Sequence, residues 1–350
     1  MNGGTNIVVR IADETDLLDW QVFVDQIPGS SWMHHSGWYA VLREAYWVKP
    51  YFLIAEQAQG RIAGVLPLYH SRSALTGSHL SSLEGGVLAI DKQVAAALLT
   101  QARSLRDVVG AKFLQIRGGP VDEPGLKSFP TVHTLIDTSL PVNFLWRAIK
   151  KKTRWAIRQV ERVGIRIVRD EGLHEMESFH DVYAEHMRGL GTPVMGVDAF
   201  RAMRAYLGSS RLRLYLVKER SQLIGGMLCV LNKDCWTDYL GLVRPTNKTE
   251  FANYLLYWHL IREAAASGVP VLDLGGSTPD SNVHSFKRKW GGRDIEVVYH
   301  FYPAAGAARI DTGLEELKRG KRLPQRIWSH LPLVICNRVG PLLRKQLPLI

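Results

Sequence analysis

The amino-acid sequence predicts an α/β (α+β) chain of two tandem domains that repeat one topology, each a mixed sheet flanked by helices. Three observations predict it. The order helix, helix, strand, strand occurs first from Asp13 to His70 and again from Leu173 to Leu231. Tyr51–Pro67 and Leu214–Leu228 are laid out alike, each an apolar strand, a short polar turn and a second apolar strand opening on Ile-x-Gly or Ile-Gly. A chain of 350 residues with 46% hydrophobic content can bury two ordinary cores.

Taken in order, helical periodicity covers Asp13–Ile27 and Ser36–Tyr46, and strand patterns cover Tyr51–Gln57 and Arg61–His70, joined by the turn residues Ala58-Gln59-Gly60. A glycine-containing strand, Ser81–Leu88, an alanine-rich helix, Asp91–Val109, and a strand, Lys112–Arg117, follow. The second half reads as strand Ile165–Arg169, helices Leu173–Leu190 and Asp198–Tyr206, strands Leu212–Lys218, Leu223–Leu231 and Thr237–Val243, helix Thr249–Ser267 and strand Val269–Leu274. Between the halves, Val142–Val163 reads as one long helix. At about 100° per residue, Ile149, Thr153, Ala156, Val160 and Val163 share a face, and Arg147, Lys151, Arg154, Arg158 and Arg162 form a stripe opposite. The expected domains are 1–145 and 146–303, followed by a basic amphipathic tail over 304–350.

The net charge of +11 is concentrated in two places. From Arg147 to Arg169 nine Lys/Arg stand against Glu161 alone, and from Ala304 to Ile350 nine stand against three acids. The rest is near neutral, which implies two local anionic contacts rather than a nucleic-acid coat. Two readings of the stripe stand: a solvated face, the usual fate of charge runs, or a phosphate-binding face, which would explain why five like charges tolerate their mutual repulsion. Cys229, Cys235 and Cys336 are odd in number and lack zinc spacing, so neither a disulfide framework nor a metal site is expected. No apolar run approaches the ~20 residues of a membrane span. The first residues lack a secretory pattern, and the chain reads as cytoplasmic.

The chemistry-bearing residues concentrate between Tyr239 and Gly292, where a strand, a polar loop and a helix lead to a strand ending Asp273-Leu-Gly-Gly-Ser277. Leu190-Gly-Thr-Pro-Val194, Asn253 to Trp258, Asp273–Ser277 and Phe286-Lys-Arg-Lys-Trp-Gly291 together resemble the second domain of FemAB-type transferases, a family of tandem GNAT-like domains. The likeness is closest to members linked to exopolysaccharide and exosortase-type envelope systems. It covers roughly residues 1–303, most closely from Arg154 to Gly292.

The resemblance implies two GNAT-like domains and transfer of an acyl or aminoacyl group onto an amine of an envelope or exopolysaccharide-related acceptor. It implies that Phe286 and Lys287 match the Phe-Lys pair at the family's reaction centre, where the lysine stabilises charge on the attacked carbonyl. The chemistry agrees: aminolysis of an ester or thioester builds negative charge on oxygen, and one positioned donor is worth ~3 kcal/mol in the transition state. An ordinary basic turn over Lys287–Lys289 is the plain alternative. Asp273 is the third catalytic candidate, placed to orient Lys287 or meet an acceptor, or else to cap the Ser277–Asp280 turn. Candidate substrate-binding residues are Arg154, Arg158, Thr192, Tyr239, Asn253, Tyr257, Gly275, Ser277 and Lys289. Thr192 either walls the acceptor site or belongs to a plain turn.

CoA-dependent GNAT enzymes place a glycine-rich loop before the helix, so that a pyrophosphate can approach backbone N–H groups. Here Arg244–Ala252 contains no glycine and sets Glu250 at the helix start. The expected donor is therefore aminoacyl-tRNA or another acyl carrier, with acyl-CoA in a different pose left open and no tightly bound cofactor. Expected partners are phosphate-bearing: tRNA, or a nucleotide- or lipid-linked glycan. Two other classes compete. A catalytically silent RNA- or membrane-surface-binding module would not need Lys287 or Asp273–Ser277, and a conventional acyl-CoA N-acetyltransferase is disfavoured by the missing glycines.

The tail, Leu314–Leu347, interleaves basic residues with Ile327, Trp328, Leu331, Leu333, Val334, Ile335, Leu342 and Leu343. It either anchors the protein at the anionic inner face of a membrane or packs on the body. His34-His35 with Trp32, Trp38, Tyr39, Tyr46 and Trp47 read as core more than as a sugar site. Ser81–Gly86 lacks the Gly-Lys-Ser/Thr ending of a phosphate loop.

Overall fold

The computed structural model describes residues 7–73, 77–121, 127–244, 251–304 and 322–345. The chain divides into two compact units, one of residues 1–129, 298–326 and 338–350, the other of 130–297 and 327–337.

β1 (Val8–Ile11) precedes α1 (Leu17–Gln26) and α2 (Trp38–Ala45). β2 (Lys49–Glu56), β3 (Ile62–Ser73), β4 (Gly77–Glu84) and the two-residue β5 (Leu88–Ala89) come next, then α3 (Lys92–Val108) and β6 (Phe113–Arg117). After β7 (Lys127–Asp137), α4 (Val142–Ala148) and α5 (Lys151–Glu161) lead to β8 (Ile165–Asp170), α6 (Met176–Gly189), α7 (Val197–Tyr206) and the single turn α8 (Gly208–Arg211). β9 (Leu212–Glu219), β10 (Gln222–Leu231), β11 (Cys235–Val243), α9 (Ala252–Ser267) and β12 (Val271–Ser277) follow. α10 (Asn282–Lys287), β13 (Arg293–Pro303), α11 (Arg322–His330) and α12 (Leu333–Lys345) come last.

The strand order in the first unit is β1-β2-β3-β4-β6-β13, with β5 on β3, and in the second β8-β9-β10-β11-β12-β7. Each contains a parallel pair bridged by a helix, β4 with β6 across α3 and β11 with β12 across α9. Between β1 and β6, and again between β8 and β12, two helices are followed by strands, a helix and a strand, so the repeat expected from the sequence is present. The sixth strand of each sheet is exchanged along the chain. β7 follows β6 in sequence yet pairs with β12, from Asp137↔Val271 to Val132↔Ser277, while residues 299–303 of β13 pair with β6. The units consequently divide at 129/130 and 297/298, not at 145/146 and 303/304, because the exchanged strands leave their own half of the sequence.

In the first unit Val94, Leu98, Leu99, Ala102 and Leu105 form one face of α3 and pack on Leu53, Leu66, Leu80 and Leu114. Asp91 starts that helix by accepting the Val94 N–H at 2.8 Å. Trp38, Tyr46 and His34 are buried, as expected of core, whereas Trp47 is exposed. In the second unit Leu256, Leu260, Ile261 and Ala264 of α9 pack with Ile157 and Val160 of α5 on Tyr215, Val217, Met227 and Leu272. Gly268, left-handed at φ +77°, ends α9 and frees the chain to enter β12.

Two expectations are corrected. The long helix Val142–Val163 is two helices, α4 and α5, broken where Ile149 and Lys150 turn extended (ψ 135° and 140°). The apolar periodicity survives the break because Ile149, Thr153, Ala156 and Val160 are all buried, so the pattern does not reveal it. The five basic positions therefore do not share one helix. Strands β1, β7 and β13 were not expected; β7 buries His133 and Thr134 beside Ile136, so polar residues hide its alternation.

Candidate active site

β11 and β12 pair in parallel through Cys235↔Val271, Trp236↔Leu272 and Thr237↔Asp273, and the ladder stops there. Both strands are bulged just beyond it. Tyr239 is the extra residue of β11 where the register against β10 shifts, and the register of β12 against β7 slips between Asp273 and Gly276. Gly275 occupies that slip at φ +78°, and a Cβ there would lie 2.8 Å from the Asp238 carbonyl oxygen. Glycine is required on both counts.

α10 delivers Lys287 to this ladder end. Ser281 caps the helix by accepting the His284 N–H at 3.2 Å. Trp290 stacks on Tyr257 at 5.6 Å and 15°, and Phe286 meets the Tyr257 ring edge-on at 5.1 Å. With its neighbours pinned to α9, Lys287 is turned inward: it is 6% exposed, and its Nζ donates to the carbonyls of Gly275 at 2.8 Å and Gly276 at 3.0 Å. The Phe-Lys pair thus closes a short helix that buries His284 and Lys287.

Asp238, 8% exposed, is the one buried carboxylate among the described residues, as Lys287 is the one buried lysine. The Tyr257 hydroxyl donates to Asp238 Oδ2 at 2.5 Å, while Oδ1 has no hydrogen-bond partner among the described residues. Burial pushes the Asp238 carboxyl up to about 6, against the Tyr257 hydrogen bond and the Lys287 charge, which favour ionisation; the Asp273 carboxylate adds to the rise. Burial and the adjacent Asp238 hold the Tyr257 hydroxyl well above the usual phenol range. A carboxyl poised near neutrality beside a fixed ammonium can accept a proton while charge develops nearby.

Asp273 braces the bulge. Its Oδ1 accepts the Gly275 N–H at 2.8 Å and its Oδ2 accepts His133 Nδ1–H at 2.8 Å. The Ser277–Asp280 turn is held by other groups, the Ser281 N–H on the Thr278 carbonyl at 3.2 Å and the Asp280 N–H on His284 Nδ1 at 3.1 Å. Asp273 thus braces the strand whose carbonyls hold Lys287.

Of the residues singled out from sequence, the fold brings together Lys287, Phe286, Tyr257, Gly275 and Asp273. Lys289 lies beside them, its Nζ donating to the Tyr254 hydroxyl at 3.0 Å. Ser277 is buried in the same strand, and Asn253 lies half-buried in the first turn of α9. Tyr239 sits in the β11 bulge with its hydroxyl 3.9 Å from Met195 Sδ. Thr192 closes the end of α6 through its N–H on the Met187 carbonyl at 2.9 Å. Residues 245–250 of the expected donor loop lie outside the described residues. Asp238 and His133 were missed: Asp238 is a single acid inside the apolar strand CWTDYLGLV, and His133 lies on the unexpected β7.

Arg154 is held by its own backbone, while Arg158 stays exposed beside Trp146. Arg154 Nη1 donates to the carbonyls of Trp146, Arg147 and Ile149 at 3.2, 2.9 and 2.9 Å, satisfying the end of α4, and the Arg158 guanidinium lies 5.7 Å from the Trp146 ring centre. Arg154→Gln is accordingly expected to lower the unfolding free energy by about 1–2 kcal/mol in chemical denaturation. Unchanged stability together with weakened tRNA binding would return Arg154 to phosphate recognition.

Residues 147–288, which span Asp238, Tyr257, Asp273 and Lys287, match the acetyltransferase (GNAT) domain family. No curated protein sequence matches the chain. Among solved structures the fold is similar to FemX, at 13% identity over 90% of this chain and 100% of that one, with a TM-score of 0.65. It is also similar to a tandem GNAT protein from the clavulanic acid biosynthesis pathway, at 12% identity over 86% of this chain and 99% of that one, TM-score 0.56. L-PGS from Bacillus licheniformis matches at 12% identity over 89% and 98%, TM-score 0.57. The fold is that of FemX and of tandem GNAT proteins, with a GNAT domain over residues 147–288.

Proposed function

We infer, from a chain that carries a GNAT acetyltransferase domain at residues 147–288 within the tandem fold of FemX and is on those grounds an acyltransferase, that it moves an aminoacyl or acyl group from a carrier onto an amine. The acceptor is a phosphate-bearing glycan of the envelope or exopolysaccharide class. The observation that carries this reading is the buried Lys287 ammonium, held on two backbone carbonyls beside Asp238 where β11 and β12 cease to pair.

The acceptor nitrogen forms a bond to the carbonyl carbon, and the carbonyl electrons move to oxygen, where Lys287 stabilises the charge. Asp238 takes the proton shed by the amine, with Tyr257 holding its other oxygen. The C–O or C–S bond to the carrier then breaks, and the leaving oxygen or sulfur takes up a proton. Catalysis here rests on a fixed donor in a dry site, which is where such a donor is worth most.

GNAT domains use acyl-CoA, and that is the second reading. Aminoacyl-tRNA is favoured because Arg244–Ala252 contains no glycine and because Arg147, Lys151, Arg158 and Arg162 remain exposed for phosphates. A membrane-side location suits a lipid-linked acceptor. Incubating the protein with alanyl-tRNA or acetyl-CoA and UDP-linked amino sugars or peptides, and following transfer by mass spectrometry, is expected to give product from the aminoacyl-tRNA. Product from acetyl-CoA alone assigns a conventional N-acetyltransferase. RNA binding without product from either donor assigns a silent binding module.

A further inference from the structure

We propose that α12 is the element by which the protein docks on an anionic lipid bilayer. Along this helix Val334 is 64% and Leu342 53% exposed, and Ile335, Val339 and Leu343 are exposed as well. At about 100° per residue, Leu342, Ile335, Val339 and Leu343 fall within roughly a 100° arc, and Arg338, also exposed, borders it on the side of Val334. Cys336 and Gly340 lie on the other side and are buried, with the Cys336 thiol directed to the Trp328 and Leu331 carbonyls at 3.8 and 4.0 Å. The helix therefore turns its small residues inward and its large aliphatic ones to solvent, the reverse of an ordinary surface helix.

Charge selects the occupant. Residues 322–345 contain Arg322, Arg326, Arg338, Arg344 and Lys345 and no acid. An aliphatic face bordered by Arg338, in a basic segment without acids, matches a bilayer interface, acyl chains against the leucines and lipid phosphate against Arg338. A second copy fits less well, because pairing would bring two basic segments together with no acid in either to offset them. Among the described residues no helix is long and apolar enough to cross a membrane, so the contact lies in the interface plane. The proposal is independent of acyl transfer.

The test is co-sedimentation of the full-length protein with vesicles of phosphatidylcholine alone and of phosphatidylcholine with one-third phosphatidylglycerol, at low and moderate salt. Binding to the anionic vesicles is expected to be about tenfold tighter and to weaken with salt. Ile335→Asp combined with Leu342→Asp is expected to reduce it about tenfold or more, and Arg338→Glu several-fold, with unchanged melting because all three side chains are exposed. If the double variant unfolds, Arg338→Glu decides. Failure of the native chain to bind, equal binding to both vesicle types, or native-like binding by the variants overturns the proposal. A dimer in light scattering that the double variant abolishes overturns it in favour of self-association.

Discussion

Lys287→Met is expected to lower kcat for acyl transfer by about 10³-fold while KM stays within a few-fold, because the ammonium acts on charge that exists only in the transition state. Lys287 is buried and donates to the Gly275 and Gly276 carbonyls, so its removal also affects stability. Two carbonyls lose a donor, which costs about 1–3 kcal/mol; against this, an ammonium no longer has to be taken out of water. The net change in melting temperature is expected to be small. A purely structural lysine would leave the pH profile in place. A lysine beside Asp238 would not, because its charge holds that carboxyl down, and its loss should move the acidic limb of kcat/KM to higher pH. Full turnover at unchanged melting temperature, with the acidic limb in place, removes Lys287 from the mechanism.

The sequence made the repeat legible because each copy places helices and strands of ordinary length in the same order, and the paired hairpins of β2–β3 and β9–β10 carry matching apolar patterns. The exchange of β7 and β13 was not legible. Which strands pair across such long sequence separations is set by tertiary packing, and β7 hides its alternation by burying His133 and Thr134. The same limit applied to the site. Lys287, Phe286, Asp273, Gly275 and Tyr257 were found through three short motifs, Asn253–Trp258, Asp273–Ser277 and Phe286–Gly291. Asp238 lies outside all three and looks in its strand like an isolated acid among apolar neighbours. Its significance depends on the Tyr257 hydroxyl and Lys287 meeting it in space. The Arg154 assignment changes for a related reason: a helical stripe assumes an unbroken helix, and a two-residue extended break turned Arg154 onto its own backbone.

Asp238→Asn separates stability from activity. The Asp238 carboxyl titrates near 6 in the folded protein against 3.8 for an ordinary aspartate, so the native state holds this proton more tightly than the unfolded chain does. That contribution to stability is complete below about pH 4 and is lost as pH rises through 6, amounting to on the order of 3 kcal/mol at neutral pH. Asparagine keeps the shape and can still accept the Tyr257 hydroxyl, but it never ionises. The variant should therefore match the native protein near pH 4 and exceed it by about 1–3 kcal/mol at pH 7.5, as read by denaturant unfolding across that range. Transfer should fall about 10²–10³-fold, the usual worth of a positioned base, and the acidic limb near pH 6 should disappear from kcat/KM. The two measurements are separable: the unfolding series requires no substrate and tests the buried, ionised state directly. A stability difference that does not vary with pH would show that Asp238 titrates normally. Native-like turnover with the acidic limb intact would show that another group accepts the proton, and His133, fixed by Asp273 on the same strand pair, is the next residue to substitute.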